Sequence, residues 1–151
     1  MTMENVRNMF QLLSRNFGLL NEQCCDNCCG QEISLVQSHI LYEINRQHNP
    51  SMQEIAGALG MDITTFSRQV KTMTDKGLVK KTPHPSDHRI NILSLSPAGL
   101  AIENSINFTI NAQLQGVLST MSEFERETVI RSIKLLNDAM QSSTSCCTPP
   151  K

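Results

Sequence analysis

The stretch that most constrains the fold runs from Ser51 to Gly99, SMQEIAGALGMDITTFSRQVKTMTDKGLVKKTPHPSDHRINILSLSPAG. Ser51 followed by Glu54 is a capping box just after Pro50, so a short helix opens there. It carries Ile55, Ala56 and Leu59 inward and stops at Gly60. Asp62 then caps a second helix, and Gly77 stands where a left-handed residue ends one. At about 100° per residue, Ile63, Phe66, Val70 and Met73 share one face of this second helix, directed toward a core. Arg68 centres the opposite face, flanked by Thr64, Thr65, Lys71 and Thr72. Short hydroxyls and cations are groups that meet phosphates and base edges in a major groove. Taken alone, the same pattern also describes an ordinary amphipathic helix with a polar outside, because helix-turn-helix patterns are loose.

The residues that follow narrow the choice. Leu78, Val79 and Lys80 begin a strand, HPSD supplies a turn, and Ile90, Ile92, Leu93 and Leu95 return it. Lys80, Lys81, His84, His88 and Arg89 make the turn and its flanks basic. A two-stranded basic ribbon next to a helix of this kind reads as a winged helix. The segment DHRINILSLSPAG, Asp87 to Gly99, resembles the wing signature of the MarR family of bacterial transcription regulators. That signature is Asp-x-Arg, an apolar strand ending Leu-Thr, and a Gly two or three residues on; here Ser96 stands where Thr is commonest. LVQSHILYEI and KGLV are similar to the family as well, and the resemblance spans about Met3 to Met140.

The resemblance implies a homodimeric winged helix repressor on a pseudo-palindromic operator. Each second helix would enter a major groove, with half-sites about 10 base pairs apart. Thr64, Thr65, Ser67, Arg68 and Lys71 are the candidates for the groove and its phosphates, with Lys81 and His88 beside them on the wing. Arg89 is assigned to the minor groove, where narrow A·T-rich segments attract cations. The family's matching Arg has that role, and the matching Asp, here Asp87, is implied to orient the wing.

Charge agrees with such a partner once its distribution is read. The chain of 151 residues has a net charge of −1. From Arg68 to Arg89, six Lys/Arg face two acidic residues, a net +4, leaving seven against twelve elsewhere, a net −5. Cations focused on one segment are the electrostatic footprint of DNA binding. The N-terminus lacks a basic region followed by an apolar run, and no apolar stretch approaches membrane length. The expectation is a soluble cytoplasmic protein with no membrane partner.

Flanking helices complete the architecture. Met3 to Leu20 carries Val6, Phe10, Leu13, Phe17 and Leu20 in a seam suited to another helix. Glu32 to Gln47 turns Ile33, Val36, Ile40 and Ile44 inward and ends at Asn49-Pro50. Ser96-Pro97 opens a long helix to about Ser119, with Leu100, Ile106, Ile110, Leu114, Val117 and Leu118 as its stripe. Ser122 with Glu125 opens a last helix to about Met140, striped by Phe124, Val129, Ile133, Leu136 and Met140. This is more apolar face than one small winged helix covers, so a second copy is expected to bury the surplus. The fold class is therefore mainly α with a small β-wing. A winged helix-turn-helix at residues 31–96 is flanked by dimerising helices at 1–30 and 97–141, and 142–151 reads as a flexible tail.

NEQCCDNCCG, residues 21–30, reads as a polar loop between helices holding Cys24, Cys25, Cys28 and Cys29, and the tail adds Cys146 and Cys147. Periodicity assigns none of the six to a core, and a secreted disulfide framework conflicts with the missing leader. Thiolates there suit soft ions, Zn(II), Cu(I), Cd(II), Hg(II), or trivalent arsenic and antimony. Paired neighbours make tetrahedral zinc from one loop difficult. Two loop cysteines plus a tail cysteine suit the three-sulfur pyramid that arsenite or antimonite takes. The other readings are an oxidant- or electrophile-sensing thiol pair, a structural zinc, and surface cysteines without a role. The family's habit of binding small aromatic acids is a further alternative for the effector. His39 reads as partly buried and His48 as a helix-terminal residue, and no His pair has metalloprotease or zinc-finger spacing. An enzyme lacks parts: there is no phosphate loop, nucleophile elbow or paired catalytic carboxylates, and Cys25-Asp-Asn-Cys28 lies between helices rather than in a βαβ unit.

Overall fold

The computed structural model of the chain describes residues 2–25 and 32–143. Its elements are α1 (Met3–Cys25), α2 (Leu35–Arg46), α3 (Met52–Ala58), α4 (Ile63–Asp75), β1 (Val79–Pro83), β2 (Asn91–Leu95), α5 (Pro97–Ser119) and α6 (Glu123–Ser143). Two compact units divide it, Met1–Asn111 and Ala112–Lys151, with the boundary inside α5.

In the first unit, α3 and α4 form the helix-turn-helix and end by the same device. The Met61 N–H donates to the Ala56 carbonyl at 2.9 Å and the Gly60 N–H to Gly57 at 3.2 Å. The Leu78 N–H donates to Met73 at 3.0 Å and the Gly77 N–H to Thr74 at 2.9 Å. Both are Schellman closures, which need a left-handed residue; Gly60 and Gly77 supply it at φ 63° and 74°. The starts are capped as expected. Ser51 and Glu54 bond reciprocally at 3.1 and 2.9 Å, and the Thr65 N–H donates to Asp62 Oδ1 at 2.9 Å.

The core collects Ile33, Ile40, Leu41, Ile44, Ile55, Phe66, Val70, Met73, Leu78, Leu93, Ile102 and Ile106, all buried. Phe66, Val70 and Met73 thus lie where the spacing puts them. Ile63 does not: as the first residue of α4 it is 46% exposed, with no preceding turn to cover it. The helix α2 also differs. It starts at Leu35 behind a Ser34–Gln37 capping box, three residues after Glu32. Its buried face is Gln37, Ile40, Leu41 and Ile44, which leaves Val36 and His39 exposed rather than inward or partly buried. α1 continues through Asn21 to Cys25, so the polar segment does not open at residue 21; residues 26–31 lie outside the described residues.

The strands β1 and β2 pair antiparallel, from Val79 opposite Leu95 to Pro83 opposite Asn91. Ile90 falls in the turn and is exposed, not in the return strand. The hairpin is fastened to the helices at its far edge: the Leu93 N–H donates to the Pro50 carbonyl at 2.9 Å, and Ile92 bridges Ser51. At the start of α5, Ser96 Oγ donates to the Gly77 carbonyl at 2.6 Å and accepts from the Gly99 N–H at 3.0 Å. The Ser96 N–H donates to Leu78 at 3.0 Å. A Cβ at position 99 would overlap the Leu78 carbonyl oxygen, so only glycine fits.

In the second unit, Ser122 and Glu125 form the predicted box, with bonds of 2.8 and 3.3 Å, and α6 runs three residues beyond Met140. No residue of α6 is buried, and Phe124 and Leu135 are 78% and 71% exposed. Among the described residues, no helix is long and apolar enough to cross a membrane.

Among the described residues, one buried group lacks a partner. Glu103 in α5 is only 4% exposed, and its Oε2 has no hydrogen-bond partner. Burial pushes its carboxyl above the ordinary range. A raised folded pKa gives stability that is present below the unfolded value and lost as pH rises through the folded one. Glu103→Gln is therefore expected to flatten the decline in stability above about pH 4.3. At neutral pH the uncharged amide is expected to be the more stable form, because no charge has to be desolvated. Thermal melts of both proteins from pH 4 to 8 check this; parallel curves would refute it.

Candidate nucleic-acid interface

The two basic elements, α4 and the wing, reach solvent from one rigid frame. Phe66, Val70 and Met73 bury one face of α4, which turns Thr64, Thr65, Ser67, Arg68 and Lys71 outward, all exposed. Lys71 and the neighbouring Thr72 are engaged along their own helix. Lys71 Nζ lies 3.5 Å from Asp75 Oδ2, and Thr72 Oγ1 donates to the Arg68 carbonyl at 3.1 Å. The pair is exposed, so it is worth little and leaves the ammonium able to meet another anion. Asp62 at the N-cap is held below the ordinary carboxylate range, first by the Thr65 side chain and then by its backbone N–H.

The wing tip is closed by a short network. The His84 N–H donates to the Ile90 carbonyl at 2.8 Å and the Ile90 N–H to Asp87 at 3.0 Å. The Ser86 N–H donates to His84 Nδ1 at 3.0 Å. Asp87 Oδ1 accepts from the Arg89 N–H at 3.1 Å and from Arg89 Nε at 3.3 Å. The carboxylate therefore closes the turn and engages one side of the guanidinium, while the Arg89 side chain remains 93% exposed. Lys80 and Lys81 are exposed on β1, and His88 at the tip.

An open groove of about 700 Å³ lies between the start of α3, Ile63 of α4 and the wing. Gln53, Glu54, His84, Arg89 and Asn91 are among its lining residues. Gln53 and Asn91 escaped the sequence reading. Gln53 was legible as the outward side of a helix whose inner side is Ile55 and Ala56; Asn91 was not, because its place depends on where the turn ends.

The cysteines are a separate matter. Cys24 and Cys25 belong to the last turn of α1, not to a loop. Cys28, Cys29, Cys146 and Cys147 lie outside the described residues. Among the described residues no group of three or more His, Cys, Asp or Glu is placed to hold a metal ion.

Comparison with known proteins gives this geometry a context. Residues 33–90 match the profile of the MarR family. A candidate transcriptional regulatory protein for the hcr operon of Thauera aromatica is 30% identical over 91 residues, covering 59% of this chain. The chain spans about half the length of that relative, 55%. The crystal structure of Streptococcus pneumoniae FabT in complex with DNA superposes with a TM-score of 0.80 at 17% identity, over 91% of this chain and 98% of the other. Staphylococcus aureus MarR in complex with salicylate and kanamycin gives 0.79 at 18% identity, over 93% of each. At these identities the two structures share the fold.

The wing network makes a local prediction. Asp87→Ala removes the acceptor for the Arg89 N–H and leaves the strands paired. Amide exchange at Arg89 is expected to quicken about twofold to tenfold, the worth of one net hydrogen bond, with exchange at Leu93 unchanged. Hydrogen exchange read by NMR measures both sites, and an unchanged Arg89 amide would show that the carboxylate does not hold the tip.

Proposed function

Because residues 33–90 match the profile of the MarR family, we propose that the chain is a winged helix regulator of that family, a homodimeric DNA-binding repressor released by a thiophilic metal or metalloid. The observation that carries the DNA-binding half is the joint exposure of the α4 face and the wing cations on one buried core. Arg68 with Thr64, Thr65, Ser67 and Lys71 meets the major groove of a pseudo-palindromic operator. Arg89 enters the minor groove, oriented by Asp87, with Lys81 and His88 on neighbouring phosphates. Residues 31–96 are the DNA-binding domain. The dimer is supported in each unit by its own uncovered apolar side chains: Phe10, Leu13 and Phe17 on α1, and Phe124, Ile133 and Met140 on α6. Solvent-facing side chains this large are what a second copy covers. Nothing in this reading requires catalysis.

The effector is read from thiolate chemistry. Cys24, Cys25, Cys28 and Cys29, completed by Cys146 or Cys147 of the same or the partner chain, supply soft ligands in the number a trivalent ion needs. With arsenite, each As–S bond releases one water, as the thiol proton joins a departing hydroxyl. Binding at the junction of α1 and α2 changes the separation of the two α4 helices in the dimer. A coupling of about 1–3 kcal/mol then loosens DNA about 5–150-fold.

Fluorescence anisotropy on the chain's own promoter DNA, kept reduced and titrated with arsenite, antimonite, zinc, cadmium and copper(I), tests this directly. Release by a trivalent ion, reversed by a chelating dithiol, supports the metalloid reading. Release only by peroxide or quinone, reversed by any reductant, replaces it with a redox switch. Silence to all of these leaves small aromatic acids as the ligand class, the class to which the salicylate in the S. aureus structure belongs.

Arg68→Ala and Arg89→Ala are each expected to weaken operator binding about 5–150-fold while sedimenting as wild type. Normal binding by either variant would remove that residue from the interface. Replacing Cys24, Cys25, Cys28 and Cys29 together by Ser should leave DNA affinity unchanged and abolish release by arsenite. Retained release in that protein would end the account of the effector.

A further inference from the structure

One exposed cation of the basic segment reaches back to an earlier part of the chain. Lys76, the C-cap of α4, donates from Nζ to the backbone carbonyl of Glu32 at 3.0 Å, across 44 residues of sequence. Glu32 follows Cys29 by three residues in the sequence. Its neighbour Ile33 is only 2% exposed, in the same core as Phe66, Val70, Met73 and Leu78. Ser34 then caps α2. Of the two residues that lead into α2, Glu32 is thus bonded to the C-cap of α4 and Ile33 is buried in the shared core.

We propose that Lys76 is a positioning residue for α4 rather than a phosphate contact: its bond to Glu32 couples the entry of α2 to the α4 C-terminus. This rests on the DNA-binding reading above and specifies its regulation. The corner itself is stiff. The Lys76 N–H donates to Thr72 and Thr74, Gly77 and Leu78 complete the Schellman closure, and Ser96 and Gly99 pack on the Gly77–Leu78 carbonyls. A shift at Glu32 therefore moves the end of α4 as a unit, since the closure leaves it no slack at Gly77. An ammonium that bridges to a backbone carbonyl also acts at fixed charge, so the bond itself leaves the field around the wing unaltered.

Coupling is reciprocal, which permits a test that needs no effector. Promoter DNA bound to the wild-type protein is expected to slow amide exchange at Ile33, Ser34 and Leu35. Lys76→Met removes the donor and keeps the length of the side chain. In that variant DNA should no longer protect these amides, and operator affinity should fall about twofold to tenfold. The slope of log affinity against log salt should stay as in wild type, whereas loss of a phosphate contact lowers it by about 0.9. Lys76→Arg keeps a donor and should restore both affinity and protection. A lowered salt slope in Lys76→Met, or DNA-dependent protection that survives in it, overturns the proposal. Wild-type protein that binds no promoter DNA would instead overturn the functional reading on which it stands.

Discussion

The close packing of Gly99 on the Leu78 carbonyl is the contact on which the rest of the molecule depends. Three elements meet there: the end of α4, the first strand of the wing and the first turn of α5. Gly77 can turn left-handed, so α4 ends with its last carbonyls satisfied and Leu78 is delivered to the core. Ser96 bonds both to Gly77 and to the Gly99 N–H. Without a side chain at 99 the α5 backbone approaches closely enough for this, and any larger residue would separate the elements. The wing signature Leu-Ser-x-x-Gly is therefore a packing requirement before it is a mark of function. It sets where the hairpin leaves the domain and, through that, where Arg89 is carried.

From this corner the arrangement of cations follows. α4 is anchored by Phe66, Val70 and Met73, so its polar face has one orientation left to it. The hairpin is held at both edges, β1 through Val79 in the core and β2 through Leu93 and the Pro50 carbonyl. β1 is exposed beyond Val79, and at the tip Asp87 supplies local order through its bonds to Arg89. A net charge near zero for the whole chain is compatible with a strongly cationic surface, because the acidic residues are carried elsewhere.

Much of this was legible in the residues. The caps at Ser51, Asp62 and Ser122 and the stops at Gly60 and Gly77 appear where short-range chemistry puts them, since each involves partners within about four residues. The two-stranded wing was likewise readable from alternation and turn residues. Periodicity points Val36 and Ile63 inward, but both are exposed, because which flank of a stripe is covered depends on what packs against it. The apolar Ile33 suggests a helix from Glu32, whereas the Ser-x-x-Gln box at Ser34–Gln37 sets the start of α2 at Leu35. Cysteine, aspartate and asparagine after Leu20 suggest a loop, yet the α1 backbone continues to Cys25.

What the sequence by itself determined is the set of local elements and the chemistry they display: two capped helices, a basic hairpin, the Asp87–Arg89 pair and six cysteines in two clusters. These depend on contacts within a turn or two, so spacing alone specifies them. The tertiary structure decided what is joined over long separations: Pro50 with Leu93, Ser96 with Gly77, Gly99 against Leu78, and Lys76 with Glu32. Such contacts cannot be read from periodicity, because a backbone carbonyl carries no residue-specific signal and becomes a partner only when packing brings it near. The same holds for Glu103, whose side chain looks like any helix-surface carboxylate until the core closes over it.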